Sequence, residues 1–236
     1  MHFKLLPKFK GFRGMQIVKL LRGIFLLLVA GFITACAPNY IPKSYSGKPW
    51  KKQFIPGKIE CEFYDKGGES VAYHDTDSIN NGSGRLNPAN GNFLNEFRMD
   101  EGVDISYTKS GGIDNNPFNK AEPALGQLYL GWTAPGEWTS YTVKVSRSGL
   151  YRIVLMYTAN GDGAIALDVD QKRATDNLKI LSTHNDADTV SWRQWHHWSM
   201  MDSLTSLRIP RGMHLITLRI MEHGNMNFDY LQFTKE

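Results

Sequence analysis

Two carboxylates, Glu60 and Glu62, stand two residues apart in the apolar setting of Ile59, Cys61 and Phe63. On a β-strand, residues at i and i+2 share a face about 6.5–7 Å apart. That spacing permits a pair of glycosidase acids, and equally two solvated charges. Asp104 and Glu137 are further isolated acids in strand-like surroundings. A second cluster is Trp192-Arg193-Gln194-Trp195-His196-His197-Trp198. Read as a strand, Trp192 and Trp195 are three positions apart and face opposite sides, so a core Trp195 leaves Trp192 exposed. The adjacent histidines likewise point apart and do not readily chelate one ion. No zinc-ligand spacing, phosphate loop, nucleophile elbow or Ser/His/Asp pattern is present.

The elements that must position these residues read as strands. Tyr141, Val143 and Val145 alternate with polar neighbours, as do Ile165, Leu167 and Val169. Similar runs lie at Ile59–Phe63, Val103–Tyr107, Gln127–Trp132, Tyr151–Thr158, Leu204–Ile209, Leu215–Ile220 and Asn227–Phe233. Period-two alternation punctuated by Gly, Pro, Asn and Asp signals strands, and this density of them predicts an all-β, two-sheet antiparallel β-sandwich of jelly-roll type. Leu178–Leu181 reads as a helical turn. Two segments between strands, Ser78–Glu96 and Lys109–Gly126, exceed the usual loop length of about 12–15 residues and are placed to wall a cleft. Trp132 and Trp138 fall within strand runs and read as structural.

The amino-terminal residues have a different character. Ile24–Ala35 is apolar but shorter than the roughly 20 residues that span a bilayer. It follows Lys19 and Arg22 and ends in small residues, as a secretory signal does. Ile33-Thr34-Ala35-Cys36 resembles a bacterial lipobox, which makes Cys36 the lipidated first residue of an exported, membrane-anchored lipoprotein of the envelope, with the outer membrane as its expected site. Met15 stands where such a signal would begin. Residues 37–54, with three prolines, four lysines and no apolar periodicity, read as a flexible tether, and residues 55–236 as the folded domain. The chain is formally +4, with 27 basic and 23 acidic residues. Residues 1–35 hold six of the basic and none of the acidic ones, which leaves 21 against 23. The tether takes four lysines more, so residues 55–236 carry 17 against 23, a net −6. Nucleic-acid binding needs a basic face, and this balance argues against it. With Cys36 lipidated, Cys61 is left alone as a small buried hydrophobe.

Six motifs in order carry a family resemblance: Ile55-Pro56-Gly57-Lys58-Ile59-Glu60-Cys61-Glu62, Gly68-Glu69-Ser70-Val71-Ala72-Tyr73-His74-Asp75-Thr76, Phe97-Arg98 before Gly102-Val103-Asp104-Ile105, Gly131-Trp132 with Gly136-Glu137-Trp138, Trp192-Arg193-Gln194-Trp195, and Asn227-Phe228-Asp229-Tyr230. Residues 55–236 thereby resemble carbohydrate-binding module family 6, β-jelly rolls usually found beside glycoside hydrolases. The resemblance implies a sugar site in the loops at one end, with Trp192 and Phe97 as aromatic walls and Asn227 as polar floor. The family more often has Tyr where this chain has Phe97, and Phe93 on the inserted loop is a substitute wall. It also implies a structural calcium ion held by Glu60, Glu62 and Asp229, whose oxygens suit that hard cation, and gives His74 a structural hydrogen bond.

The function so implied is non-catalytic binding of a polysaccharide or oligosaccharide, with glycoside hydrolases as possible neighbours. The alternatives are a small jelly-roll hydrolase or lyase using Glu137, Asp104 or the Glu60/Glu62 pair, and a protein-interaction module of a surface complex.

Overall fold

The computed structural model describes residues 37–236. Fifteen strands are present among them: β1 (Gln53–Ile55), β2 (Gly57–Glu60), β3 (Tyr73–His74), β4 (Ser83–Gly84), β5 (Asn87–Pro88), β6 (Ile105–Tyr107), β7 (Leu128–Leu130), β8 (Trp138–Val145), β9 (Gly149–Ala159), β10 (Gly163–Val169), β11 (Lys172–Arg173), β12 (Leu178–Ile180), β13 (Ser199–Ile209), β14 (Gly212–Glu222) and β15 (Met226–Lys235). One short helix, α1 (Phe93–Glu96), and two 3-10 turns, Cys61–Phe63 and Ser191–Arg193, complete the set.

One sheet runs β1-β8-β14-β10-β11, with β3 added on β8 and β12 on β10. The other runs β13-β9-β15-β7-β6, with β2 added on β15. Pairing is antiparallel except for β1 on β8 and the small β4–β5 pair. The two-sheet β-sandwich read from the alternation is the fold. Its core is the alternating face expected: Tyr141, Val143, Val145, Ile165 and Leu167 from one sheet meet Tyr151, Ile153, Leu155, Phe228, Leu231 and Phe233 from the other. Burying each such side chain stabilises the fold by about 1.5–3 kcal/mol. Cys61 is a free thiol within this core.

Three local readings are corrected. Leu178–Ile180 pairs with β10 as a strand, because its residues alternate across an edge that β10 leaves open. The run at Ile59–Phe63 ends as a strand at Glu60 and turns into a 3-10 helix, so Glu60 and Glu62 do not share a strand face.

Residues 37–54, thirdly, are no flexible tether. Met213 donates its amide to Pro38, Tyr40 donates back to Met213, and the Tyr40 ring stacks on His214 at 4.6 Å. Further along, the Tyr45 hydroxyl donates to Asp65, Trp50 packs edgewise on Phe97, and β1 pairs in register with β8. The lysines and prolines read as a linker, but the aromatic rings between them are anchors that cover sheet and core. The compact unit begins at Ala37.

Candidate functional site

At one end of the sandwich, β9 finishes and β15 begins, with Thr158 opposite Asn227. Asn227 is only 1% exposed. Its Oδ1 accepts the backbone N–H of Trp132, and its Nδ2 donates to Thr158 Oγ1 at 2.8 Å and to His196 Nδ1 at 3.0 Å. Both amide hydrogens are therefore committed, and a lone pair on Oδ1 is what remains for a ligand. Gly131 explains itself here: a Cβ at that position would stand 2.8 Å from Asn227 Oδ1. Trp132 follows with φ 47°, a left-handed conformation that costs an L-residue about 1–2 kcal/mol, and the Asn227 amide holds it there.

The second wall comes from the turn Ser191–Arg193. Asp188 accepts from Arg193 Nε and Nη2, and also from His197 Nε2 at 2.9 Å. Arg193 Nη1 donates onward to the Gly112 carbonyl, which ties this turn to the long loop 109–126. Asp114, from that loop, accepts from His196 Nε2 at 2.6 Å, from the Trp198 indole at 2.8 Å and from the Lys109 amide at 2.7 Å. Burial pushes the Asp114 carboxyl up, but the hydrogen bonds from His196, Trp198 and Lys109, with the His196 charge interaction, hold it below its ordinary value. His196 donates through Nε2 and accepts through Nδ1, which fixes its tautomer by the bonds it makes. The loop 109–126 and the segment that carries the Ser191–Arg193 turn are thus latched by one aspartate each.

Between these walls lies a cavity of about 500 Å³, within the range usual for small-ligand sites. Trp132, Trp192, Trp195, Tyr129, Lys109 and Asn227 line it. Trp192 is 57% exposed. Trp192 and Trp195 reach the same cavity, contrary to the parity expectation, because the segment is a 3-10 turn in which i and i+3 eclipse. Trp198 is the fully buried member.

Phe97 is no wall of this cavity. It is 3% exposed in the core, ringed by Trp50, Phe63 and Phe93 with centroids 5.1–5.5 Å away. Trp50, from the strap of residues 37–54, and the 3-10 residue Phe63 close over it. Phe93 is 58% exposed on α1 and packs edgewise on Phe97, but it does not line the cavity. Sequence reasoning missed Trp195, Trp132, Tyr129, Lys109 and His196; the three-residue spacing of Trp192, Trp195 and Trp198 was the available signal.

The two histidines diverge, His196 to Asp114 and Asn227, His197 to Asp188 and Thr183. His74 Nδ1 donates to the Glu69 carboxylate, 2.6 Å away, on the surface. Glu137 has both oxygens engaged: Oε1 by the amide and hydroxyl of Thr76, Oε2 by the amide of Ala134. The crevice beside it holds about 10 Å³, room for about one water. Asp104 accepts from the Asn81 amide.

A separate acidic group lies on the other flank of β15. The β9–β15 register shifts between Phe228 and Tyr230, so Asp229 is the extra residue of a β-bulge, a device that re-aims a side chain. Its carboxylate is buried and accepts from Gln127 Nε2. Burial raises its carboxyl to about 7, with the Glu60 charge adding to the rise against Lys58. Glu62 is 1% exposed and its Oε2 has no partner. Burial first, then the charges of Glu60 and Asp229, push the Glu62 carboxyl well up. Glu60 is half-buried and ion-paired to Lys51. Among the described residues no group of three His, Cys, Asp or Glu side chains stands ready to hold a metal ion as arranged.

The fold and the cavity together define a small β-sandwich with an aromatic-lined cavity in its end loops. Residues 104–235 match the model of the family "Carbohydrate binding module (family 6)". This chain belongs to that family and is a carbohydrate-binding module. No curated protein matches it. Among solved structures it is similar to a family 6 module from Clostridium stercorarium in complex with cellobiose, at 12% identity and TM-score 0.45, covering 79% of this chain and 98% of that one. It is similar also to the C-terminal module of a marine laminarinase from Zobellia galactanivorans, at 16% identity and TM-score 0.43, covering 75% and 98%. It is similar as well to part of a glycoside hydrolase family 43 arabinoxylan arabinofuranohydrolase from Bacillus subtilis, at 13% identity and TM-score 0.47, covering 79% of this chain and 28% of that one.

Proposed function

We propose that this chain is a non-catalytic glycan-binding lipoprotein that seats a sugar ring against Trp192 in the end cavity, with Trp195 and Trp132 alongside and Asn227 beneath. The observation that carries the reading is an indole left more than half exposed on a turn locked by Asp188, at the mouth of a cavity floored by a buried amide. A pyranose presents an apolar C–H face rimmed with hydroxyls, which suits a flat π surface with a few convergent polar groups. Burying roughly 100 Å² of that face at about 25 cal/mol/Å² yields on the order of 2.5 kcal/mol per ring. Binding is then weak and multi-ring, with Kd around 10–1000 μM. Glu137, spent on clamping Thr76 and Ala134, supports the absence of catalysis. A glycan array run beside a reducing-sugar assay tests this: binding without product is expected, and released sugar would overturn the non-catalytic reading.

Glu60, Glu62 and Asp229 are the proposed calcium ligands. Supporting this are the orphaned, buried Glu62 Oε2 and the bulge that brings Asp229 to the same neighbourhood. Lys51 would have to leave Glu60, and backbone carbonyls would complete the 6–8 oxygens. The ion would supply a cross-link between the start of the domain and β15. The lipid anchor on Cys36 lies outside the described residues and rests on the sequence; Cys36→Ala is expected to move the protein from membrane to soluble fraction, and unchanged fractionation would refute it.

A further inference from the structure

We infer that the end of the sandwich opposite the sugar cavity is a lipid-facing surface, on which the domain stands with its cavity turned away from an anionic membrane. This rests on the reading of Cys36 as the acylated residue. Three observations lead to it.

The first is placement. Chain order after Cys36 is fixed almost at once, because Asn39 pairs with Met213 and Pro38 accepts the Met213 amide. Three peptide links reach at most about 11 Å, so a lipid on Cys36 would hold the Met213 end close to the bilayer. Met213 lies level with Lys144 and Phe54 in the sheet, beside the β8–β9 and β13–β14 turns. Arg211, in one turn, donates its amide to Ser148 in the other. The cavity sits at the far end of β9, whose eleven residues span about 33 Å.

The second is charge. Residues 55–236 are net negative, yet Lys144, Arg147, Arg208 and Arg211 are all exposed at this end. None of them has an ion-pair partner among the described residues. The acids nearby are Asp170, bonded to His214, and Glu236, bonded to Ser206. Unpaired basic side chains near a bilayer are drawn to anionic headgroups.

The third is the pair of rings among them. Tyr40 is 44% and Phe54 48% exposed at this same end. Aromatic rings beside basic side chains suit the headgroup level of a membrane. A free tether would have no use for an oriented basic and aromatic base; a short rigid mount would.

The test uses the mature lipoprotein reconstituted in phosphatidylcholine vesicles with or without about a third phosphatidylglycerol. Spin labels are placed at Ser146→Cys, on the basic end, and at Ala187→Cys, in the loop that holds Trp195; their relaxation by a lipid-attached nickel chelate is measured. The Ser146→Cys label is expected to relax several-fold faster than the Ala187→Cys label, most clearly with the anionic lipid. Adding Lys144→Glu, Arg147→Glu and Arg211→Glu should abolish that difference without releasing the protein or lowering its melting temperature. Equal relaxation at both labels, or a difference that survives the charge reversal, would overturn the orientation. Acylation is read separately, from the mass of the Cys36 peptide. An unmodified Cys36 would remove the anchor and this inference with it, whereas an acylated protein with equal labels refutes the orientation alone.

Discussion

Replacing Trp192 by alanine separates binding from folding. The indole is more than half exposed, and its turn is held by Arg193, Asp188 and Gly112, none of which involves the ring. Removing it deletes one sugar-ring contact of roughly 100 Å², on the order of 2.5 kcal/mol, or about 60-fold in Kd. For a binder in the micromolar to millimolar range this means loss of a titratable signal. Stability should move by under about 1 kcal/mol, as surface substitutions do. Trp198 supplies the contrast. It is fully buried, and its indole N–H donates to Asp114, so Trp198→Ala should cost about 3–5 kcal/mol and loosen the 109–126 loop. The assay pairs isothermal titration against an oligosaccharide panel with thermal melts of both variants. Normal glycan binding by Trp192→Ala, or a drop in melting temperature equal to that of Trp198→Ala, would refute the reasoning.

Asn227→Ala should weaken binding and also destabilise, by about 1–3 kcal/mol, because the Trp132 amide and His196 Nδ1 lose their partner; a variant with unchanged melting would show that the Trp132 conformation does not depend on it. Millimolar calcium should raise the melting temperature, with a stabilisation of about 2.7 kcal/mol at 100-fold excess over Kd, and Glu62→Gln should abolish that response while leaving the metal-free protein as stable or more so; identical melts with and without chelator in the parent count against the site. Burial, with the charges of neighbouring acids, raises Asp75 to about 7 and Asp104 to about 6. A carboxyl held above its unfolded value favours the fold in its protonated form, so this contribution is present below about pH 4 and is lost as pH climbs to 7. Asp75→Asn and Asp104→Asn should therefore flatten the fall in melting temperature between about pH 4 and 7, the window between the unfolded and folded values, and unchanged slopes would exclude these groups as its source.

The strands were legible because their signal is local: alternation at Tyr141–Val145 or Ile165–Val169 needs no knowledge of the partner. The lining of the cavity was legible in part. Trp192 and Asn227 reach the cavity, yet the parity argument around them failed because it assumed a strand where Asp188 and Arg193 hold a 3-10 turn, and a single-residue change of period is invisible in composition. Phe97 misled for a tertiary reason. Whether an aromatic residue is core or wall depends on what covers it, and here the cover is Trp50, which lies in residues 37–54, ahead of the expected domain start at Ile55. The strap itself hid behind its lysines, since Tyr40, Tyr45 and Trp50 are too widely spaced to form a periodic pattern.

The position of β15 has a consequence for the order in which the molecule can assemble. It is the last strand in sequence, yet it lies between β9 and β7 in the middle of its sheet and carries β2 as well. Until it is placed, β2 and β7 have no neighbour on that side, and the cavity has no floor, because Asn227 is the second residue of that strand. A chain emerging amino-terminus first must therefore hold its earlier hairpins open, with apolar faces uncovered, until the final segment inserts. Closures between residues so far apart in sequence are slow. Sugar recognition at the proposed site would accordingly arrive in one step with the last strand, and a nascent or clipped chain lacking Met226–Lys235 should be blind to glycan however much of the other sheet it has formed.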